Sequence, residues 1–271
     1  VQDLFPQSAI DLGRLRNPLL IRFFQRLQRT LCRRAAAVTV HSEGNRRYLI
    51  AHGAPADRLA VVPNWVDVEF IRPGPRQNGF RVDHGLGSEF VVSFAGVLGL
   101  SQDLDTVLLA ADVLRHVRPI LWLIVGDGVE RQRLRALARQ MALPNVRFLP
   151  MQPRERYPAV LQASDVCLTT LHAGVRTPVV PSKILSAMAA GRPTVAALNL
   201  DGDAPRLIAE AHCGLCVPPE DPQALANAVL RLYRDPALRQ ELGQSGRRYA
   251  VENLSLQASV HRYEALFRQL L

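Results

Sequence analysis

Lysine is almost missing from this chain: Lys183 is the one lysine among 33 Lys and Arg residues in a total of 271. With arginine used everywhere else, a lysine kept beside a helix start points to a local chemical reason. Aromatic residues are also few, at 6%. There is no helix-turn-helix signature, no zinc-finger spacing and no aromatic-rich basic strand, so nucleic acid is set aside as a partner. No apolar run approaches the roughly 18 residues that span a bilayer, and the first residues lack the order of charge, apolar stretch and small-residue cleavage site that marks a signal peptide. Cysteine is scarce, with Cys32, Cys167, Cys213 and Cys216. Cys213-Gly214-Leu215-Cys216 has metal or redox spacing, but a second ligand pair is absent and Gly214 reads as a turn into a strand. A reduced, cytoplasmic protein is the simplest reading.

What the chain has is apolar residues, 48% of the total, and a net charge of +9. That is enough to bury one large core or two ordinary ones. The charge favours acidic partners such as nucleotide phosphates or an anionic membrane surface. Between Arg14 and Arg34, Leu20, Phe23, Phe24, Leu27 and Leu31 recur at helical spacing, with Arg22, Arg26, Arg29 and Arg33 on other faces. This is a basic amphipathic helix, suited either to lying on anionic lipid at the inner face of the plasma membrane or to packing on a core with a solvated arginine face. The opening Val1-Gln2-Asp3-Leu4-Phe5-Pro6 reads like a strand end leading into a loop and predicts a preceding segment.

Along the chain, apolar strands alternate with helices. Strands are expected at 37–40, 59–64, 90–96, 120–125, 146–149, 166–168, 194–196 and 215–217, and helices at 43–52, 104–113, 130–141, 154–163, after Pro181, and at 222–234, 238–252 and 256–271. Residues 70–87, rich in Gly, Pro and charge, look like a linker. Strands buried on both faces and joined by helices imply a parallel, doubly wound α/β sheet, whose ligand sits outside the carboxyl ends of the strands. That places four loops together: Gly96 to Gln102, Gly126 to Glu130, Pro150 to Pro153 and His172 to Lys183. At the last, Pro181 and Ser182 provide a stop and a cap, small apolar residues form a helix, and Gly191 ends it. A helix N-terminus offers free N–H groups and partial positive charge to a phosphate. An ordinary capped helix with a solvent-facing lysine is the other reading of the same residues.

The order of motifs resembles a retaining glycosyltransferase of family 4. It is carried by Val61-Val62-Pro63-Asn64-Trp65-Val66-Asp67, the strand into Gly96, Val125-Gly126-Asp127-Gly128, Asn145-Val146-Arg147-Phe148-Leu149, Ala163-Ser164-Asp165-Val166, the run from Ala187 to Ala196, and Gly214 to Pro222. Asp3-Leu4-Phe5-Pro6, Gly99 with Gln102, and Pro181-Ser182-Lys183 are most similar to the branch of fucosaminyltransferase-like enzymes of O-antigen and capsule assembly. The resemblance implies a GT-B architecture of Rossmann-like domains. Residues 1–74 would be the tail of an acceptor-side domain that includes Asp3, 75–254 the nucleotide-sugar donor domain, and 255–271 a closing helix that packs back.

It further implies transfer of a hexosyl or N-acetylhexosaminyl group from a UDP-sugar to a polysaccharide or lipid-linked glycan. Lys183 would be the catalytic cation on the leaving diphosphate, with Ser182 beside it. Gly96 and Gly99 would let the backbone approach the phosphate, and Met151 and Gln152 would contact the base. Gly126 and Asp127 would shape the donor loop, Asp127 as a loop-fixing residue. No metal or other cofactor is expected, since no Asp-x-Asp pair suited to a divalent ion lies near these loops. The chain departs from the family pattern at several points. Common members carry glutamates at the position of Ser186 and near Pro178, where this chain has none; Val97 and Gln102 stand where many carry arginine and lysine, and Gln2 where a histidine is frequent. Arg176 and Lys183 would supply compensating charge, and Ser186 a weaker hydroxyl contact than a carboxylate. A catalytically impaired GT-B-like protein that binds a nucleotide, or a peripheral membrane interaction protein, is the alternative.

Overall fold

The computed structural model describes residues 1, 4–11 and 13–271. The N-terminal segment runs α1 (Gln7–Asp11), α2 (Pro18–Arg34), β1 (Val38–Val40), α3 (Glu43–Ala51) and β2 (Leu59–Val61). Its two strands pair in parallel, and Leu4, Cys32, Val40, Leu49 and Leu59 close a small core around them. Asn17 starts α2 by accepting the Leu19 N–H at 2.9 Å, so the helix begins at Pro18, inside the expected segment 14–34 and just ahead of the first periodic residue, Leu20. β2 stops at Val61 because Pro63 has no N–H to continue a ladder.

After α4 (Gly79–Asp83) the main unit alternates strictly: β3 (Phe90–Ala95), α5 (Leu104–Val113), β4 (Ile120–Val125), α6 (Arg131–Gln140), β5 (Val146–Leu149), α7 (Tyr157–Ala163), β6 (Val166–Thr170), α8 (Ser182–Ala189), β7 (Thr194–Ala197), α9 (Asp203–Glu210) and β8 (Gly214–Val217). Helices α10 (Pro222–Arg234), α11 (Pro236–Asn253) and α12 (Leu256–Leu270) follow. The six strands are all parallel in the order β5-β4-β3-β6-β7-β8. That order is doubly wound, with the direction of winding reversing between β3 and β6. Alternate residues of β3 and β4 serve opposite faces. Val92, Phe94, Trp122 and Ile124 pack under α5 and α10, while Val91, Ala95, Leu121 and Leu123 pack under Phe80 and α7.

Two expectations are corrected. Helix α9 was not foreseen; a parallel β7–β8 pair requires a crossover, and eight residues with Pro205 in the first turn carry too little periodicity to announce it. The stretch 70–87 is not a free linker, because Phe80 and Arg81 are buried. The Arg81 guanidinium donates from Nε to the Ala163 carbonyl at 2.9 Å and from Nη1 to the Gly87 carbonyl at 2.7 Å, and its Nη2 meets Asp165 Oδ2 at 3.2 Å. Asp165 also accepts from Arg76 Nε at 2.7 Å and from the Val91 N–H at 2.8 Å. Burial pulls the Arg81 guanidinium below its ordinary range, with the Arg76 charge acting in the same sense and Asp165 opposing it.

Asp165 thus pins the approach segment to the amino end of the sheet, opposite the ligand end. Removing a buried ion-pair partner strands the remaining charge, so Asp165→Ala should destabilise the fold by about 3–5 kcal/mol. Urea denaturation read by circular dichroism checks this, and a loss under about 1 kcal/mol would show that the arginines find other partners.

Candidate nucleotide site at the switch point

At the carboxyl ends of β3 and β6 the loops after the two strands interlock. The Thr170 hydroxyl donates to the Gln102 carbonyl, and the His172 N–H donates to the Ser101 carbonyl at 3.0 Å. Gly96 leaves β3 with φ of +148°, and a Cβ there would stand 2.8 Å from Lys183 Cε. The lysine stem therefore lies across the glycine, and glycine is what makes the crossing possible. At the end of β4, a Cβ on Gly126 would fall 1.9 Å from the Gly96 carbonyl oxygen, so these two turns touch backbone to backbone.

Lys183 is half-buried in the first turn of α8. Its Nζ donates to Gln102 Oε1 at 2.9 Å and lies 4.9 Å from the centroid of the Phe94 ring. Burial alone holds its ammonium below the usual lysine range. This corrects the solvent-facing reading of Lys183. The helix starts at Ser182 with Pro181 as the flanking residue and no side-chain cap, so Ser182 does not cap the helix; it occupies the first turn and is exposed. Gly191, with φ of +66°, ends the helix as expected.

The other expected residues divide. Gln102 faces Lys183. Gly126 and Asp127 fix the neighbouring loop: the Asp127 carbonyl accepts the Leu98 N–H at 2.8 Å and its carboxylate accepts the Gly128 N–H at 2.8 Å. A Cβ built on Gly99 would make an ordinary van der Waals contact with Val97 Cγ1 at 3.8 Å, so nothing in its surroundings demands glycine there. Met151 and Gln152 follow β5, the edge strand; Met151 is exposed, and Gln152 donates back to the Pro150 carbonyl at 3.0 Å. Ser186 is buried and hydrogen-bonded with Tyr157, whose phenol burial pushes up to about 12. Arg176 is exposed and lines a cavity of about 110 Å³ with Gly44, Arg47, Thr177 and Asp203; no charge interaction brings it to Lys183. Asp3 lies outside the described residues.

Sequence reasoning missed four residues here: Glu220, Asn199 and Asp11, which hold the long loop after β6, and Asp203, which ties α3 to the start of α9. Glu220, with φ of +58°, places its carboxylate 2.6 Å from His172 Nδ1 and accepts the Ala173 N–H at 3.0 Å. The Asn199 amide donates to the Ala173 and Val175 carbonyls at 3.1 and 2.8 Å. Asp11 of α1 accepts from Thr177, and Asp203 of α9 accepts the Gly44 N–H at 3.2 Å. Asp201-Gly202-Asp203 is an Asp-x-Asp run at the end of β7. Asp203, however, faces Arg206 at 3.7 Å and Arg47 at 4.0 Å, surroundings that suit a carboxylate and repel a cation. Among the described residues no group of three His, Cys, Asp or Glu is arranged to hold a metal ion.

A sequence profile of the family described as Glycosyl transferases group 1 matches residues 77–249, and one described as Glycosyl transferase 4-like domain matches residues 3–65. A D-inositol 3-phosphate glycosyltransferase of Corynebacterium urealyticum is 32% identical over 225 residues, which cover 77% of this chain and 51% of that protein. The chain therefore spans about half the length of that relative. Sucrose-phosphate synthase from Thermosynechococcus elongatus shares the fold with a TM-score of 0.80 at 23% identity, over 97% of this chain and 66% of that one. HepE of Anabaena, solved in complex with UDP, does so with a TM-score of 0.78 at 22% identity, over 92% and 67%. The α/β sheet described above is the doubly wound, Rossmann-like sheet of GT-B proteins.

The cysteine pair at β8 is not a reactive centre. Cys213 is buried and burial pushes its thiol up to about 12; Cys216, half-buried, is pushed to about 11. His212 turns to Glu241 at 3.0 Å instead of joining them. Thiolate is the reacting form, so at pH 7.5 neither should be alkylated by iodoacetamide in the native protein, whereas both should react in urea. Rapid native labelling of Cys216, read by mass spectrometry, would contradict this assignment.

Proposed function

The chain belongs to the glycosyl transferases of group 1, and from that premise we propose that its switch-point cleft binds the diphosphate of a UDP-sugar. The sugar is then transferred with retention to a cell-surface polysaccharide or lipid-linked glycan. The observation that carries this reading is the desolvated Lys183 ammonium at the start of α8, lying across Gly96 and bonded to Gln102 at the carboxyl end of β3. Negative charge grows on the leaving phosphate as the anomeric bond breaks, and a preorganised cation with helix N–H groups stabilises it most where water is least able to screen. With Lys183 and the helix end in that role, the diphosphate is neutralised without a divalent ion. The motifs around Pro181-Ser182-Lys183 favour the fucosaminyltransferase-like branch. Residues 75–254 form the donor side, and the N-terminal segment contributes to the acceptor side.

A second reading, nucleotide binding without turnover, is favoured by one feature. No carboxylate stands at 178 or 186, and Ser186 is occupied by Tyr157. Incubation with UDP-sugars and a panel of glycan acceptors separates the two, since binding without product supports only the second.

UDP titrated by calorimetry in the presence of a chelator should bind. Lys183→Ala should weaken UDP about ten- to a hundredfold, the loss of a charge-assisted contact, and leave uridine nearly unchanged. Raising the pH should weaken UDP binding from below the ordinary lysine range, because the buried ammonium sheds its proton early. Over the same interval the unliganded protein should gain stability: burial penalises the charged form, so the folded state binds fewer protons there than the unfolded one. Equal losses of UDP and uridine would assign Lys183 a structural role.

Peripheral attachment to anionic lipid completes the proposal. Leu19, Phe23 and Leu31 on α2 are exposed at 71%, 58% and 60%, in a chain of net charge +9. Arg29 and Arg33 are spent on the His52 and Gly53 carbonyls, which leaves Arg22 and Arg26 for headgroups. Flotation with phosphatidylglycerol vesicles should carry the protein, and Phe23→Glu with Leu27→Glu should leave it in the dense fraction. Equal flotation of the double variant would rule α2 out as the anchor.

A further inference from the structure

The loop between β6 and α8 carries Arg176 and delivers Lys183, and one of its ties comes from outside the donor unit. Asp11 Oδ2 accepts the Thr177 N–H at 2.7 Å and also the Thr177 hydroxyl. Asp11 is itself oriented: Oδ1 takes the Gln7 amide at 2.7 Å, and Gln7 Oε1 takes the Tyr48 hydroxyl at 3.2 Å. The relay runs from α3 through α1 to the loop and crosses from the N-terminal segment to the donor unit.

Thr177 is only 6% exposed. A buried N–H left without an acceptor costs about as much as a lost hydrogen bond plus its desolvation, so the loop holds this path only while a carboxylate meets it. Asn199 and Glu220 fix the first half of the loop at 172–175 and stop short of Thr177. In the second half, from Arg176 to the start of α8, Val179 and Val180 pack on the core and Asp11 supplies the hydrogen bonds that hold Thr177. The Asp203 contact with the Gly44 N–H crosses between the same two parts on the other side of the 110 Å³ cavity, which Gly44, Thr177 and Asp203 all line.

We infer that Asp11 is a positioning residue: by holding Thr177 it sets the loop that presents Lys183 to the diphosphate, so donor binding depends on a carboxylate of the N-terminal segment. The inference rests on the reading of the cleft as a UDP site. It couples the two parts of the chain without requiring Asp11 to touch the donor, and it gives an acceptor-side element control over donor affinity.

Hydrogen exchange at the Thr177 amide tests the tie without any nucleotide. In Asp11→Ala this amide should exchange about tenfold faster or more, while amides of β3 and β4 stay protected. In calorimetry the same variant should bind UDP about three- to tenfold more weakly and uridine as well as the wild type does. Thr177→Val, which removes the hydroxyl contact from the other side, should show a smaller loss of the same kind, and Asp11→Glu should recover part of it. α1 buries no residue, so Asp11→Ala should cost only the Thr177 contacts and lower the melting temperature by about 2–4 °C per kcal/mol lost, without unfolding the protein. Unchanged Thr177 exchange, or faster exchange with unchanged UDP affinity, would overturn the inference alone. Failure of the wild type to bind UDP would defeat the functional reading, and this inference with it.

Discussion

An ammonium group held away from water sets the terms for the mouth of this sheet. Lys183 reaches across Gly96, gives one hydrogen to Gln102 and lies near the face of Phe94. A lysine ammonium has three hydrogens to give, and one acceptor with one ring offsets only part of its lost hydration. The remaining deficit is what an anion would relieve, and it exists because the stem crosses a glycine and the head cannot swing out to solvent without leaving Gln102. A cation at position 102 would oppose Lys183 at this distance. The neutral amide orients it instead, so the glutamine is matched to the lysine it faces.

The same economy of charge is visible at the opposite end of the sheet. Asp165 gathers Arg76, Arg81 and the Val91 N–H, and Arg192 donates nearby to the Gly74 and Gln162 carbonyls at 3.0 and 2.6 Å. Guanidinium suits these places because its planar fork carries five donors in fixed directions, against three on the compact head of a lysine. The chain therefore uses arginine to tie segments together, and keeps its single compact ammonium for the ligand end of the sheet.

Between these ends, contacts with the N-terminal segment flank the cavity lined by Gly44, Thr177 and Asp203. Asp11 and Asp203 each present a carboxylate to backbone N–H groups of the other part of the chain. Such contacts are short-range and directional, so they report relative position sharply and are lost together when the parts move. The loop after β6 is consequently held by Asn199 after β7, Glu220 after β8 and Asp11 of α1, together with its own Val175, Val179 and Val180 packed on the core.

How much of this was legible beforehand depends on range. Periodicity placed β4, β5, α5 and α10 at their observed limits, because runs of apolar residues bounded by turn residues declare themselves over a short range. Motif order identified the family and brought Gly96, Gln102 and Lys183 to one place. Side-chain direction was beyond it: Ser186 and Arg176 share the Lys183 loop and helix, yet one is turned to Tyr157 and the other to a separate cavity. Arg81, Asp11, Asn199 and Glu220 reach partners 24 to 166 positions away in sequence, and a polar residue in a loop or a short helix looks the same whether solvated or buried. The sequence by itself determined the alternation of elements, the parallel sheet and the isolation of one lysine at a helix start. Only the tertiary structure decided that this lysine is desolvated and that Asp11 governs its loop, because both depend on which distant groups exclude water and which supply an acceptor.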